Sequence, residues 1–349
     1  MLFDCTKVSV KQDRKILDQT SLNHQTEFDI IRSYFKDLTH QKGVEKGIGD
    51  DAALVKFSSE HNNHLVVATD TLIGGVHFPN TAGAFDIAQR AMCVNLSDLA
   101  AMGAVPRWFT LGLSLPTNLA RSEWLGQFSA GLKIIADQYD CALIGGDTTR
   151  GPLSVNITML GEVPLQEAMC RDGASIGDIV YVTGFLGDGA AALKNELEKP
   201  QPSDVFRKSE RLFNRFYRPT PRIKEGLEIR SIATACIDIS DGLVADLEHL
   251  CRSSNTSANV SIENLPIHPE VKKHHPEQYS DFALFGGDDY ELCFTVPESK
   301  NLVMGELIKS RSVNAVPIGK IIKSNGSGSR VLLNGRVCNS KKTGFKHFE

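Results

Sequence analysis

Aspartates recur at one kind of place in this 349-residue chain, behind an apolar run and beside glycine or threonine. They stand in Gly49-Asp50-Asp51, Thr69-Asp70-Thr71, Gly145-Gly146-Asp147-Thr148-Thr149, Asp238-Ile239-Ser240-Asp241-Gly242 and Gly286-Gly287-Asp288-Asp289. Asp98 joins them from an apolar stretch that also holds Asn95. One aspartate after a strand is ordinary, because it caps helices and starts turns. Asp241, just ahead of Gly242 and an amphipathic run, is such an N-cap candidate, and Asp50 such a turn residue. The whole set needs another account. Carboxylates gathered beside glycines repel one another unless cations sit among them. Magnesium suits them, since it takes a few carboxylates, water and substrate phosphates. The histidines and cysteines show no spacing that fits a transition metal.

Carboxylates with magnesium point to polyphosphate chemistry, where catalysis is positioning plus neutralisation of developing charge. The chain has no P-loop of the form G-x-x-x-x-G-K-S/T. Gly47-Ile48-Gly49-Asp50-Asp51-Ala52 loosely matches a dinucleotide fingerprint, but two aspartates stand where a pyrophosphate needs bare amides. No G-x-S-x-G nucleophile elbow occurs. His77, in Gly74-Gly75-Val76-His77-Phe78-Pro79, is by itself an ordinary loop histidine. Arg171 follows Met169-Cys170 at a change of texture, where a phosphate clamp would fit.

Alternating strands and helices must carry these residues. Expected strands are Leu65 to Ala68, Phe109 to Leu115, Cys141 to Ile144, Leu153 to Val163, Ile179 to Thr183, Ala233 to Ile239, Asn259 to Ile262, Glu291 to Val296 and Val316 to Ile322. Expected helices are Glu27 to Phe35, Ala84 to Met102 (stopped by Gly103 and Pro106), Ser122 to Tyr139 with Ser122 as N-cap, Gly189 to Asn195 and Gly242 to Arg252. The class is therefore α/β or α+β. Residues 1–26 read as an extension, 27–164 as an N-terminal domain and 165–349 as a C-terminal domain.

Composition narrows the function further. The formal net charge of −4 offers no basic surplus for nucleic acid. No apolar run approaches the ~20 residues of a membrane span, and the first fifteen residues have no signal-peptide core. Eight scattered cysteines without a C-x-x-C pair fit a reduced, cytoplasmic setting.

Taken in order, these motifs resemble those of the thiamine-monophosphate kinases. Six segments carry the resemblance: Gly47 to Ala52, Thr69 to Leu72 with Gly75 to Phe78, Asn95 to Ala104, Ile144 to Thr149, Asp238 to Leu243 and Gly286 to Glu291. It runs from about Glu27 to Gly344-Phe345-Lys346-His347-Phe348. The resemblance implies a two-domain fold like that of aminoimidazole-ribonucleotide synthetase, with the N-terminal domain dimerising through its sheet. It implies magnesium-dependent transfer of the ATP γ-phosphoryl group to thiamine monophosphate, by a homodimer. By position, Asp51, Thr69, Asp70, Asp98, Asp147, Asp238 and Asp241 would hold magnesium. Gly146, Asp147, Arg171 and Ser240 would meet ATP, and His77, Asp288 and Phe345 would line the thiamine pocket. No dedicated general base is implied, because the acceptor is already an ionised phosphate.

Two positions depart from the family pattern. Asp288 stands where glutamate is commoner, and Ala68 where a small polar residue is. The neighbouring readings are a selenophosphate synthetase, a purine-pathway synthetase, a hydrogenase-maturation dehydratase and a non-catalytic nucleotide-binding regulator. Cys5-Thr6-Lys7 lies in the extension without a glycine-rich loop, the chain ends without a cysteine, and no metal carboxylate is missing.

Overall fold

A computed structural model describes residues 44–46, 50–56, 63–197, 209–324, 328 and 330–337. The expected extension, the Glu27 to Phe35 helix and Phe345 lie outside the described residues. Among the described residues thirteen strands form two sheets joined by helices, as the alternating pattern predicts.

The first sheet has the order β1-β2-β3-β6-β4-β5. Its strands are β1 (Val44–Lys46), β2 (Ala53–Lys56), β3 (Asn63–Ile73), β4 (Val105–Leu115), β5 (Ala142–Arg150) and β6 (Ser154–Pro164). All neighbours run antiparallel except β4 and β5. One face is covered by α1 (Ala84–Ala101), against which α2 (Ser122–Gln138) packs. The chain then changes sheet between Pro164 and Ile179.

The second sheet has the order β13-β12-β9-β11-β7-β10-β8. It is built from β7 (Ile179–Thr183), β8 (Ala235–Asp238), β9 (Thr256–Val260), β10 (Leu292–Val296), β11 (Ala315–Lys323), β12 (Val331–Leu333) and β13 (Arg336–Val337). Around it lie α3 (Asp188–Leu197), α4 (Glu210–Tyr217), α5 (Ile223–Ile229), α6 (Leu243–Ser253), α7 (Pro269–His274), α8 (Tyr279–Phe285) and α9 (Asn301–Lys309).

The helix α1 ties the halves together. It packs on β3 and β6 of the first sheet and on β8 of the second, so fifteen of its eighteen residues are buried. Each large apolar side chain it buries, such as Met92, Leu96 and Leu99, contributes roughly 1.5–3 kcal/mol. A helix buried on nearly every side in this way lies between two layers. Among the described residues the cysteines are free, and Cys93, Cys141, Cys236, Cys251 and Cys293 are buried as small hydrophobes.

Strand lengths differ from the expected ones in a way that matters to the site. Thr69-Asp70-Thr71 and Gly145-Gly146-Asp147 do not follow their strands but lie within β3 and β5. Threonine is at home in a strand, and in β3 the apolar run marks only the buried part. In β5 the apolar run Ala142-Leu143-Ile144, which the sequence pattern marks as a buried strand, is exposed, because it lies on the edge of the sheet. Ser122 is the first residue of α2 rather than its cap; Arg121 holds the cap position without a side-chain bond.

Candidate active site

A cavity of about 820 Å³ opens between the two sheets along α1. Thr69, Asp70, His77, Asp98, Asp238, Ser240, Asp241 and Asp288 all line it. Residues spread over more than 200 positions of sequence thus meet in one place. A second cavity, about 460 Å³ between α3 and α7, is lined by lysine, histidine and glutamate side chains and gathers no aspartates.

The aspartates converge at one end. Asp51 precedes β2, Asp98 projects from the last turn of α1, and Asp238 closes β8. Oxygen atoms of these three lie within 4.8 Å of one another. Burial pushes Asp51 up to about 6 and Asp238 to about 6. Asp98 rises well above the usual carboxylate range, through burial and then the charges of Asp70, Asp238 and Asp51. Asp51 Oδ2 is buried without a hydrogen-bond partner among the described residues. Crowded, dehydrated, oxygen-only donors of this kind fit a hard divalent cation such as magnesium.

Arg171 supplies positive charge to this end of the cavity. Its Nη2 donates to Asp51 Oδ1, its backbone N–H donates to Asp50 Oδ1 at 3.0 Å, and its carbonyl accepts from Ser254 Oγ at 2.7 Å. Asp50 therefore does more than hold a turn: it ties the segment before β2 to the segment after β6. Lys46 Nζ stands 3.3 Å from the same carboxylate.

The loop between β8 and α6 is held from below. Gly242 takes the N-cap position without a side-chain bond, so Asp241 does not cap the helix. Asp246, in the first turn, accepts from the N–H groups of Ser240, Asp241 and Gly242 at 3.1, 3.0 and 3.1 Å. One buried carboxylate orients three successive amides at the cavity wall, which Ser240 and Asp241 line. Asp246 escaped sequence reading because it falls in a regular helical pattern.

Thr69 and Asp70 point to opposite faces of β3, as neighbours in a strand must. Thr69 Oγ1 bonds the carbonyl of Ile157 at 3.1 Å and Thr158 Oγ1 at 3.0 Å on the open face. Asp70 receives support from α1, its N–H donating to Asn95 Oδ1 at 3.0 Å. Ala68 is buried on the helix-covered face, away from the cavity.

Gly146 and Asp147 are not brought to the cluster. The register runs Asp70 to Ile157, Ile157 to Leu111 and Leu111 to Gly146, which sets Gly146 three strands from Asp70, about 14 Å away. All nine residues of β5 are exposed. Gly146 has φ +150°, and a Cβ there would lie 1.9 Å from the Leu111 carbonyl oxygen, so the backbones meet closely only because no side chain intervenes.

The other end of the cavity is aromatic and mixed in charge. His77 Nδ1 accepts from the Ile73 N–H at 3.0 Å, which leaves the neutral ring's proton on Nε2. Arg90 and Tyr290 both reach Asp288 Oδ1, at 2.6 and 3.1 Å. Tyr290 lies within the Gly286 to Glu291 motif but has no role implied there, and the only trace of Arg90 in sequence is a charge inside a largely apolar helix.

Known families share this arrangement. The chain matches the model of the AIR synthase related protein, N-terminal domain, over residues 49–163, and that of the C-terminal domain over residues 175–331. It is 42% identical to the thiamine-monophosphate kinase of Haemophilus influenzae over 330 residues, 93% of this chain and 98% of the relative.

The chain belongs to the thiamine-monophosphate kinase family.

The Escherichia coli member of that family is 40% identical over 324 residues, covering 92% and 98% of the two chains. The crystal structure of the Stenotrophomonas maltophilia thiamine-monophosphate kinase superposes with a TM-score of 0.73 at 42% identity, covering 89% of this chain and 98% of the other. A solved complex of AaThiL with AMPPCP and TMP superposes with a TM-score of 0.79 at 31% identity, covering 94% and 99%. The fold is thus the two-domain AIR synthase related fold that the motif order implies.

Proposed function

We propose that this protein transfers the γ-phosphoryl group of ATP to thiamine monophosphate, giving thiamine diphosphate and ADP with the help of magnesium. The convergence of Asp51, Asp98 and Asp238 at one end of a cavity whose other end holds His77 and Asp288 carries this reading. Membership of the family, and a relative that binds AMPPCP and TMP, support it.

Asp51, Asp70, Asp98, Asp238 and Asp241 would hold magnesium, with Thr69 and Asp147 completing the set. Bound there, magnesium would neutralise charge on the transferring phosphoryl group. Arg171 and Ser240 receive the ATP phosphates from the edge of this cluster, together with Gly146. The acceptor phosphate oxygen forms the new bond to the γ-phosphorus while the bond to the β-bridging oxygen breaks. The attacking acceptor oxygen is ionised at neutral pH, so no side chain need remove a proton. His77 and Asp288, with Phe345, hold the thiamine moiety, and an aromatic ring there packs against its cationic thiazolium.

The unpaired edges of the first sheet support a homodimer. Among the described residues β5 has no neighbour on its outer side, and β3 has none beyond Val67 on the side where β2 ends. Pairing β5 of one copy with the far half of β3 in another closes both edges. It also brings Gly146 and Asp147 of one copy beside Thr69 and Asp70 of the other. In this reading the domains divide at 27–164 and 165–349, and the enzyme works in the cytoplasm. Among the described residues no helix is long and apolar enough to cross a membrane.

Purified protein with ATP, magnesium and thiamine monophosphate tests the reaction, with free thiamine as control. Equal amounts of ADP and thiamine diphosphate, lost on adding EDTA, are expected. Absence of thiamine diphosphate from a folded protein that binds ATP would overturn the assignment.

A further inference from the structure

Arg90 lies on the cavity side of α1 but far from the aspartate cluster. Arg90, Val94 and Asp98 all line the cavity, and steps of four residues keep them on one helix face. Arg90 and Asp98 are thus about 12 Å apart along the axis. The residue is 2% exposed, yet fully charged.

Its guanidinium donates in three directions to three separate segments. Nε bonds the carbonyl of His77 at 3.1 Å, in the loop after β3. Nη1 bonds the carbonyl of Phe216 at 2.7 Å, near the end of α4. Nη2 bonds Asp288 Oδ1 at 2.6 Å, in the segment before β10. The guanidinium carbon also stands 4.1 Å from the ring centroid of Phe216. One side chain from the first sheet's helix therefore holds a loop of its own half and two segments of the other.

The segment before β10 needs holding. Asp288 and Tyr290 have φ values of +69° and +50°, a backbone state that residues with side chains adopt only where neighbours enforce it. The N–H of Asp288 donates to the carbonyl of Ser240 and that of Tyr290 to the carbonyl of Ile239, each at 2.8 Å. Tyr290 then donates its hydroxyl to Asp288 Oδ1 at 3.1 Å. Both side-chain bonds thus fall on Oδ1. Oδ2 accepts no hydrogen bond among the described residues, and the side chain is 22% exposed in the cavity wall.

We propose that Arg90, with Tyr290, is the positioning pair for the acceptor: it clamps Asp288 through Oδ1, aims Oδ2 at the substrate, and sets the His77 loop against it. The proposal rests on the assignment of this end of the cavity to thiamine monophosphate. A fork of fixed donors is needed, and the single ammonium of a lysine cannot span the three acceptors. Because the clamp sits at the acceptor end, its loss weakens acceptor binding and spares the nucleotide.

The test uses the full chain with Arg90→Lys and Tyr290→Phe, steady-state kinetics in both substrates, and calorimetric binding of thiamine monophosphate and AMPPCP. Arg90→Lys is expected to raise the KM for thiamine monophosphate about tenfold or more and that for ATP by less than about threefold. Tyr290→Phe should shift the acceptor KM the same way by about threefold. Equal rises for both substrates, or an unchanged acceptor KM in folded Arg90→Lys, would overturn the proposal. Should Arg90→Lys fail to fold, unchanged acceptor affinity in Tyr290→Phe does so. If the wild type binds thiamine monophosphate without turning it over, the kinase reading falls and calorimetry still decides the clamp. If it binds none, both fall.

Discussion

The hydroxyl of Ser97 donates to Oδ2 of Asp238 at 2.7 Å, with both side chains removed from water. Ser97 belongs to the helix on the first sheet and Asp238 to a strand of the second. The bond therefore sets the distance between the halves at the place where their carboxylates meet. Ser97→Ala deprives a buried carboxylate of its donor and is expected to destabilise the protein by roughly 1–3 kcal/mol. Urea unfolding with and without magnesium checks this. The loss should shrink when the cation is present, because the cation satisfies the same oxygen.

Protonation of the cluster gives a second expectation. Asp51 and Asp238 ionise near pH 6 in the folded chain, against an ordinary value of 3.8, chiefly through burial. A raised carboxylate pKa contributes stability that is complete below the unfolded value and is lost as pH rises through the folded one. Without divalent cations, the protein should therefore melt higher at pH 5 than at pH 8. Magnesium favours the ionised form and should raise the melting temperature most above about pH 6. Thermal melts in EDTA that rise from pH 5 to pH 8 would contradict the assignment.

Asp70→Asn and Asp147→Asn remove a charge and preserve shape. Each is expected to lower turnover by about 100-fold or more, because phosphoryl transfer depends on charge neutralisation. Circular dichroism should be unchanged. Wild-type rates in either variant would remove that residue from the metal set.

Ile144→Asp tests the sheet edge. Ile144 is 58% exposed on β5, beside Gly146 and Asp147. A charge there blocks edge pairing, so sedimentation should report a monomer. Turnover should fall with it, since Asp147 then reaches no neighbouring cavity. A fully active monomer would refute the shared arrangement.

The sequence pattern revealed the fold class, the order of most strands and helices, and the aspartates themselves. Apolar periodicity reports burial, and near the site β3 is buried on one side along only part of its length while β5 is exposed throughout. Thr69-Asp70-Thr71 and Gly145-Gly146-Asp147 therefore stood out as carboxylate motifs but not as strand. The supporting residues were harder to see. Asp246 and Arg90 sit in regular helical patterns; Asp246 turns back on amides four to six residues earlier, and Arg90 reaches a carboxylate 198 residues away. Asp241 illustrates the converse: it has the local look of a helix cap, while Gly242 takes the cap position and Asp246 holds the amides that lead into the helix.

The burial of α1 has a consequence for how the chain tolerates change. A helix with one wet face accepts substitution every third or fourth position, and a mutational scan across it shows that rhythm. On α1 only Phe85, Asp86 and Asp98 escape full burial, and Asp98 faces the carboxylates. A scan of residues 87–101 should therefore show an almost unbroken band of intolerance, in which damage to packing and damage to chemistry cannot be told apart by position.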